Sequence, residues 1–267
     1  MTEPNLASLT DPVLVKGVKQ VAVAVVLAAL VLSAAYLRNI QLVQELGYAF
    51  TRGFLQVIAM GLLIGVLFSL RLEWSFVVIL GMVVFATQIS ESRGEGLPNS
   101  FRISFAGILS GSGVVIASML YMGAIEPTVR NLVPVAGMIV SSSMKTNSLA
   151  LERFTNDLSE NRDEIEVLLS LGASGETSLS KYSSGSVKAS LIPMVESLRS
   201  LGLVYIPGMM SGMILAGANP VYAALYQFVI MAMLFSASAI TSLVSVQLAG
   251  NEVVNEAEQL GYGSVRD

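Results

Sequence analysis

Glu196 and Arg199 stand three positions apart inside an otherwise apolar run. On a helix that spacing puts them on one face, where they can pair. A charge at the centre of a bilayer costs about 2.5–3.5 kcal/mol on insertion scales. The pair therefore reads as part of a translocation path or gate; the competing reading is a structural or interfacial ion pair between packed helices. Pro207-Gly208-Met209-Met210-Ser211-Gly212 follows at once. One proline and two glycines break a plain helix, and irregular backbone at membrane depth is tolerated where it is buried in protein or lines a cavity. The expectation is a broken or re-entrant segment near a dimer axis. Its GMMSG spacing also suits close contact between two helices, and Gln227 adds an amide farther along.

The chain has no histidine and no cysteine. That excludes disulfides and thiolate metal sites, and it removes the commonest metal ligand and general base. Glu196 is then a weak metal candidate, with hydroxyls, the Gln227 amide, thioethers and freed carbonyls as its company. The methionines read first as flexible packing. No GxxxxGK[ST], GxSxG, HExxH or CxxC occurs, so no familiar enzyme class and no P-loop ATP site is expected in this chain. Net charge is −4, which gives no reason to expect nucleic acid.

Only 13% of residues are charged and 54% are hydrophobic, where soluble domains carry roughly 25% charged residues. Apolar runs long enough to cross a bilayer as helices recur along the chain. They predict a single all-α integral membrane domain over 1–267 with seven transmembrane helices, at about 18–37, 54–70, 74–89, 101–122, 132–149, 187–206 and 221–248. Small residues Gly107, Ser110, Gly111 and Gly113 in the fourth span favour close helix packing. Ser238, Thr241, Ser242 and Ser245 form a hydroxyl stripe on the seventh, suited to hydrogen bonds between helices. The N-terminus fits a cleaved signal peptide poorly, because its apolar run begins only after Lys19. Ten of the fifteen lysines and arginines fall on one side of this topology. By the positive-inside rule that side is cytoplasmic, which places the N-terminus outside and the C-terminus inside an inner or plasma membrane.

Between the fifth and sixth spans, 151–188 is polar and charged. Ile165, Leu168, Leu169 and Leu171 give it one apolar face at helical spacing. Gly172 suits a left-handed helix cap, and Ser174 can cap a short second helix with Glu176 in its first turn. The stretch Glu166 to Ser174 resembles the EAAxxxG loop of ABC-importer permeases, with Glu166 and Gly172 at the motif's Glu and Gly and Val167 and Leu168 in place of its alanines. That resemblance implies a helix–turn–helix knob, with Glu166, Leu169, Leu171, Gly172, Ala173 and Ser174 engaging an ATPase subunit. An ordinary amphipathic surface helix closed by glycine is the plainer reading.

LSLGAS (169–174), SLIP (190–193), GLV (202–204), PGMMSGMILAG (207–217), NPVYA (219–223) and YQ (226–227) follow the order and spacing of the FetB-type (UPF0014) permease family, to which the chain is similar most closely over 130–247. Arg52 and Gln56 match it more weakly. Ser141-Ser142-Ser143-Met144 replaces a common Gly-Asn-x-Met, and Ala86 and Thr87 lie where the family carries asparagines. The resemblance implies a homodimeric permease of an ATP-driven ABC exporter for iron or another metal ion or metal-linked solute. It implies no cofactor in this chain, with ATP and Mg on a separate ATPase. A permease for a metal-free organic solute, a stand-alone secondary transporter and a membrane scaffold are the alternatives.

Overall fold

The computed structural model describes residues 12–38, 43–69, 71–94, 96–254 and 260–261. The chain divides into two compact units, meeting between Ser69 and position 70. The first holds α1 (Pro12–Leu37) and α2 (Val43–Ser69), which touch each other. Between Lys19 and Arg38 nothing is charged, and large apolar side chains such as Val18, Leu30 and Val31 are exposed all round α1. A helix apolar on every side belongs in lipid or in a large core.

The second unit contains α3 (Leu72–Glu91), α4 (Ser100–Tyr121), α5 (Val129–Glu160), α6 (Arg162–Ser170), α7 (Gly175–Ser200), α8 (Gly208–Leu215) and α9 (Pro220–Val253). The fold is all-α, as expected. Among the described residues α1, α3, α4 and α9 are long and apolar enough to cross a membrane. α5 and α7 are as long, with 32 and 26 residues, but each is polar near the end that carries α6. Here the span boundaries read from apolarity differ from the helices. The helix of the sixth span, α7, starts at Gly175 rather than 187 and stops at Ser200 rather than 206, so the expected short second helix is the first half of α7. α5 likewise runs on to Glu160. Loss of apolar character marks where lipid contact ends; it does not end a helix, which needs a backbone break.

α9 is the axis of this unit, packed against α4, α5, α7 and α8, while α3 lies on α4 and α5. Two buried clusters form along it, and a third lies among the neighbouring helices. One at the α6 end joins Ile103, Phe154, Leu158, Ile165, Leu179 and Val253. One at the α8 end joins Ile116, Leu132, Ile139, Ile230 and Met233. The smallest, between α3, α4 and α5, is built on Val83, Ile108 and Val140.

The close approach of α4 to α9 depends on two glycines. A side chain at Gly111 would collide with Thr241 Oγ1 and the Ala237 carbonyl, and one at Gly107 with Ser245 Oγ. Gly113, on the same helix, faces open space.

Candidate functional site

The turn between α6 and α7 is set by its backbone. Leu171 ends α6, and Gly172 follows at φ +86°. Its N–H donates to the Leu169 carbonyl at 3.0 Å, and the Ala173 N–H donates to the Leu168 carbonyl at 3.1 Å. This pair of bonds is a Schellman motif, and a left-handed residue at that position favours glycine. Ser174 then caps α7, its Oγ accepting from the Thr177 N–H at 3.3 Å.

Ile165 and Leu169 bury against the α6-end cluster and seat the turn on the bundle. Val167 and Leu171 project outward, Leu171 with 79% of its surface free. Leu169, one of the expected contacts for a partner, is thus an anchor facing inward, and Leu171 is the apolar group on offer. Glu166 is exposed and pairs with Arg162 (Nε–Oε1 2.7 Å). Lys181 of α7 reaches Glu164 of α6 at 3.3 Å, and that carboxylate raises the Lys181 pKa above the usual lysine value.

At the opposite end, Arg199 Nη1 lies 3.1 Å from Glu196 Oε1 with both side chains mostly exposed. The pair occupies the last turn of α7, where the helix dipole favours the arginine. α7 stops there because Gly202, at φ +80°, folds the chain back. The Ser200 carbonyl accepts from the N–H groups of Leu203, Val204 and Tyr205.

Pro207 is buried and opens α8, a separate eight-residue helix closed by Gly217 at φ +92°. Met209 rests on the α8-end cluster, and Met210 and Ser211 are half-buried. Ser211 Oγ donates to the Pro207 carbonyl at 3.2 Å. The expected helix contact through Gly208 and Gly212 does not occur among the described residues, since neither has an atom of them within 4 Å of where a side chain would begin. Asn219 then caps α9 by accepting from the Val221 and Tyr222 N–H groups, with Pro220 at the first helical position. Gln227 is buried on α9, and its Oε1 has no partner among the described residues. Among those residues no three carboxylates gather as a metal site, and Glu196 has only Arg199 beside it.

The sequence pattern of an uncharacterised protein family, UPF0014, matches residues 18–254. This chain belongs to the UPF0014 family. Its relatives include the rice membrane protein STAR2 (Oryza sativa subsp. japonica), 29% identical over 97% of this chain and 90% of the relative. The Arabidopsis thaliana protein ALUMINUM SENSITIVE 3 is 28% identical over 93% of this chain and 91% of its own length. The probable iron export permease protein FetB of Escherichia coli K12 is also 28% identical, over 91% of this chain and 94% of the relative. No solved structure matches.

The UPF0014 chain also holds a polar junction that sequence reasoning missed. Asn147 of α5 is fully buried and donates to Ser90 Oγ of α3 at 2.7 Å and to Ser104 Oγ of α4 at 3.0 Å. Ser148 Oγ donates to the same Ser90 Oγ at 3.0 Å. α3 and α4 contribute one serine each and α5 the Asn147-Ser148 pair, and nothing in the spacing along the chain marks them as partners. The hydroxyl stripe of α9 behaves as expected in part. Ser238 bonds to Ser142 of α5 at 2.9 Å and Ser242 to Ser190 of α7 at 2.8 Å, while Thr241 and Ser245 fill the spaces over Gly111 and Gly107.

Proposed function

We propose that this UPF0014 membrane protein is the permease subunit of an ATP-driven ABC transporter that exports iron or a metal-linked solute. It works as a homodimer, and a separate ATPase supplies ATP and Mg. The observation that carries this reading is the α6–α7 turn, a glycine-capped knob anchored by Ile165 and Leu169 with Leu171 exposed at its tip. A secondary transporter has no need of a rigid, partly apolar knob at one end of its helices. The direction and cargo are supported by a relative whose name is that of a probable iron export permease. Glu166, Gly172, Ala173 and Ser174 shape the knob. In this reading Glu196, Arg199, Gln227 and the Pro207–Gly212 segment line the path, with Glu196 handling a cation weakly and transiently.

The test is reconstitution. Vesicles holding the permease and its ATPase are expected to move iron only with ATP, and Glu196→Ala is expected to abolish that movement while assembly survives. ATP-driven movement of a metal-free organic solute with no response to iron would replace the cargo. Transport without any co-purifying ATPase would remove the ABC assignment itself.

A further inference from the structure

The contact between α4, α5 and α9 is rich in hydroxyls. Asn147 Nδ2 of α5 donates to Ser104 Oγ of α4 at 3.0 Å. One turn along α4, Ser245 of α9 lies over Gly107, and a turn farther Thr241 lies over Gly111. Ser238, on the same face of α9, bonds to Ser142 of α5 at 2.9 Å, and Ser143 follows Ser142 in the chain. These contacts stitch the three helices into one seam from Ser238 to Ser245, about 10 Å along α9. Ser104, Ser143, Asn147, Ser238, Thr241 and Ser245 all have 0% of their surface exposed.

Polar side chains that serve as glue between membrane helices hydrogen-bond across the interface. Several in this seam do not. Ser143 Oγ, Thr241 Oγ1, Ser245 Oγ and Asn147 Oδ1 have no hydrogen-bond partner among the described residues. Hydroxyls on a helix can return their proton to the carbonyl one turn back, as Thr87, Ser112 and Ser186 do here. The three unpaired hydroxyls of the seam do not. Buried polar groups left unpaired cost stability, so a seam serving only for packing would be better built from alanine. That cost is relieved if the helices part and water or cargo takes up the free groups. None of the six side chains is charged, and Lys145, on the same stretch of α5, is exposed. Neutral oxygens can stand in for water around a solute, but they are not the imidazole or thiolate that holds a first-row metal tightly.

We propose that the α4–α5–α9 seam is a closed part of the translocation path, and that Ser143, Asn147, Thr241 and Ser245 face the cargo when α9 moves away from α4 and α5. The cargo that suits this lining is a metal that keeps its own shell, hydrated or complexed. The cargo and the ATP that drives opening rest on the export reading; the seam rests on its unpaired groups.

Two measurements test the seam. The first needs only the full-length permease in detergent. Ser238→Ala removes a bonded hydroxyl and is expected to lower the thermal midpoint. Ser143→Ala removes an unpaired one and is expected to leave the midpoint unchanged or raised. An equal or larger fall in Ser143→Ala marks a bonded, structural hydroxyl and overturns the proposal. The second uses the absence of cysteine from the chain. Ser143→Cys, in full-length permease co-purified with its ATPase in nanodiscs, is treated with a charged, water-borne methanethiosulfonate. Labelling is expected to be slow at rest and about tenfold or more faster during ATP turnover, as a minor open state becomes a major one. Saturating ferrous ion is expected to slow it. Val83→Cys, equally buried between α3, α4 and α5, is expected to stay inert. Equal labelling of both cysteines means general loosening and overturns the seam. Ser143→Cys that stays inert through ATP-driven iron transport also sinks the seam and leaves the export reading standing. ATP-dependent labelling with no movement of iron supports the seam and removes the iron cargo. The midpoint comparison stands whether or not an ATPase accompanies the permease.

Discussion

Gly172 and Asn147 each carry a load out of proportion to their size. At φ +86° a β-branched residue is strained, and Gly172→Val is expected to cost about 1–2 kcal/mol locally. Nothing lies within 4 Å of where a side chain at Gly172 would begin, so the variant is expected to insert normally and yet lose substrate-stimulated ATP hydrolysis with the proposed ATPase. Full stimulation would show that the turn does not dock. Asn147 holds three helices through two donated bonds. Asn147→Leu removes the donor to buried Ser104 and one of the two donors to Ser90, and unsatisfied buried polar groups cost about 1–3 kcal/mol. A fall in thermal midpoint of the detergent-solubilised protein is expected, larger than that of Asn131→Leu, where a half-buried asparagine loses a single bond to Glu126.

Helix contacts extend the same reasoning to elements. α4 approaches α9 closely because Gly107 and Gly111 present no side chain to Thr241, Ser245 and the Ala237 carbonyl. Gly111→Ala forces the two helices apart, and overpacking of this kind costs about 1–3 kcal/mol. Gly113→Ala has open space around it and is expected to be neutral or stabilising by up to about 1 kcal/mol. Thermal unfolding of the two variants side by side checks the interface. If both changes behave alike, the α4–α9 packing is wrong. The Glu196–Arg199 pair belongs to this scale too. Both groups are mostly exposed, so their pairing contributes under about 1 kcal/mol to stability. A loss of transport in Glu196→Ala would then reflect the path and not the fold.

For the whole molecule the question is which way it sits in the bilayer. Leu171, at the tip of the α6–α7 turn, and Thr128, before α5, are both exposed and lie at opposite ends of the second unit. In cells, Leu171→Cys is expected to react only with a membrane-permeant reagent and Thr128→Cys with an impermeant one added outside. Reaction of both with the impermeant reagent would refute the seven-span topology.

What the chain determines by itself is local. Gly172 and Ser174 could be read as the cap pair of the turn because a left-handed cap and an N-cap hydroxyl act over four residues. The apolar runs pointed to seven long helices, which occur among the described residues, and four of these are apolar enough over about 20 residues to cross a membrane. The position of helix ends in polar surroundings was not legible that way. α5 and α7 extend well past their apolar parts because Phe154, Leu158, Leu179 and Tyr182 pack with α6 and α9, and that packing exists only once the helices meet. The same holds for the two sites of greatest chemical interest. Leu169 faces inward and Leu171 outward by the way α6 lies on the bundle. Asn147 finds Ser90 and Ser104 over distances of 43 residues and more along the chain. A lone polar residue in an apolar run looks the same whether it meets a partner or water, and only tertiary packing decides which.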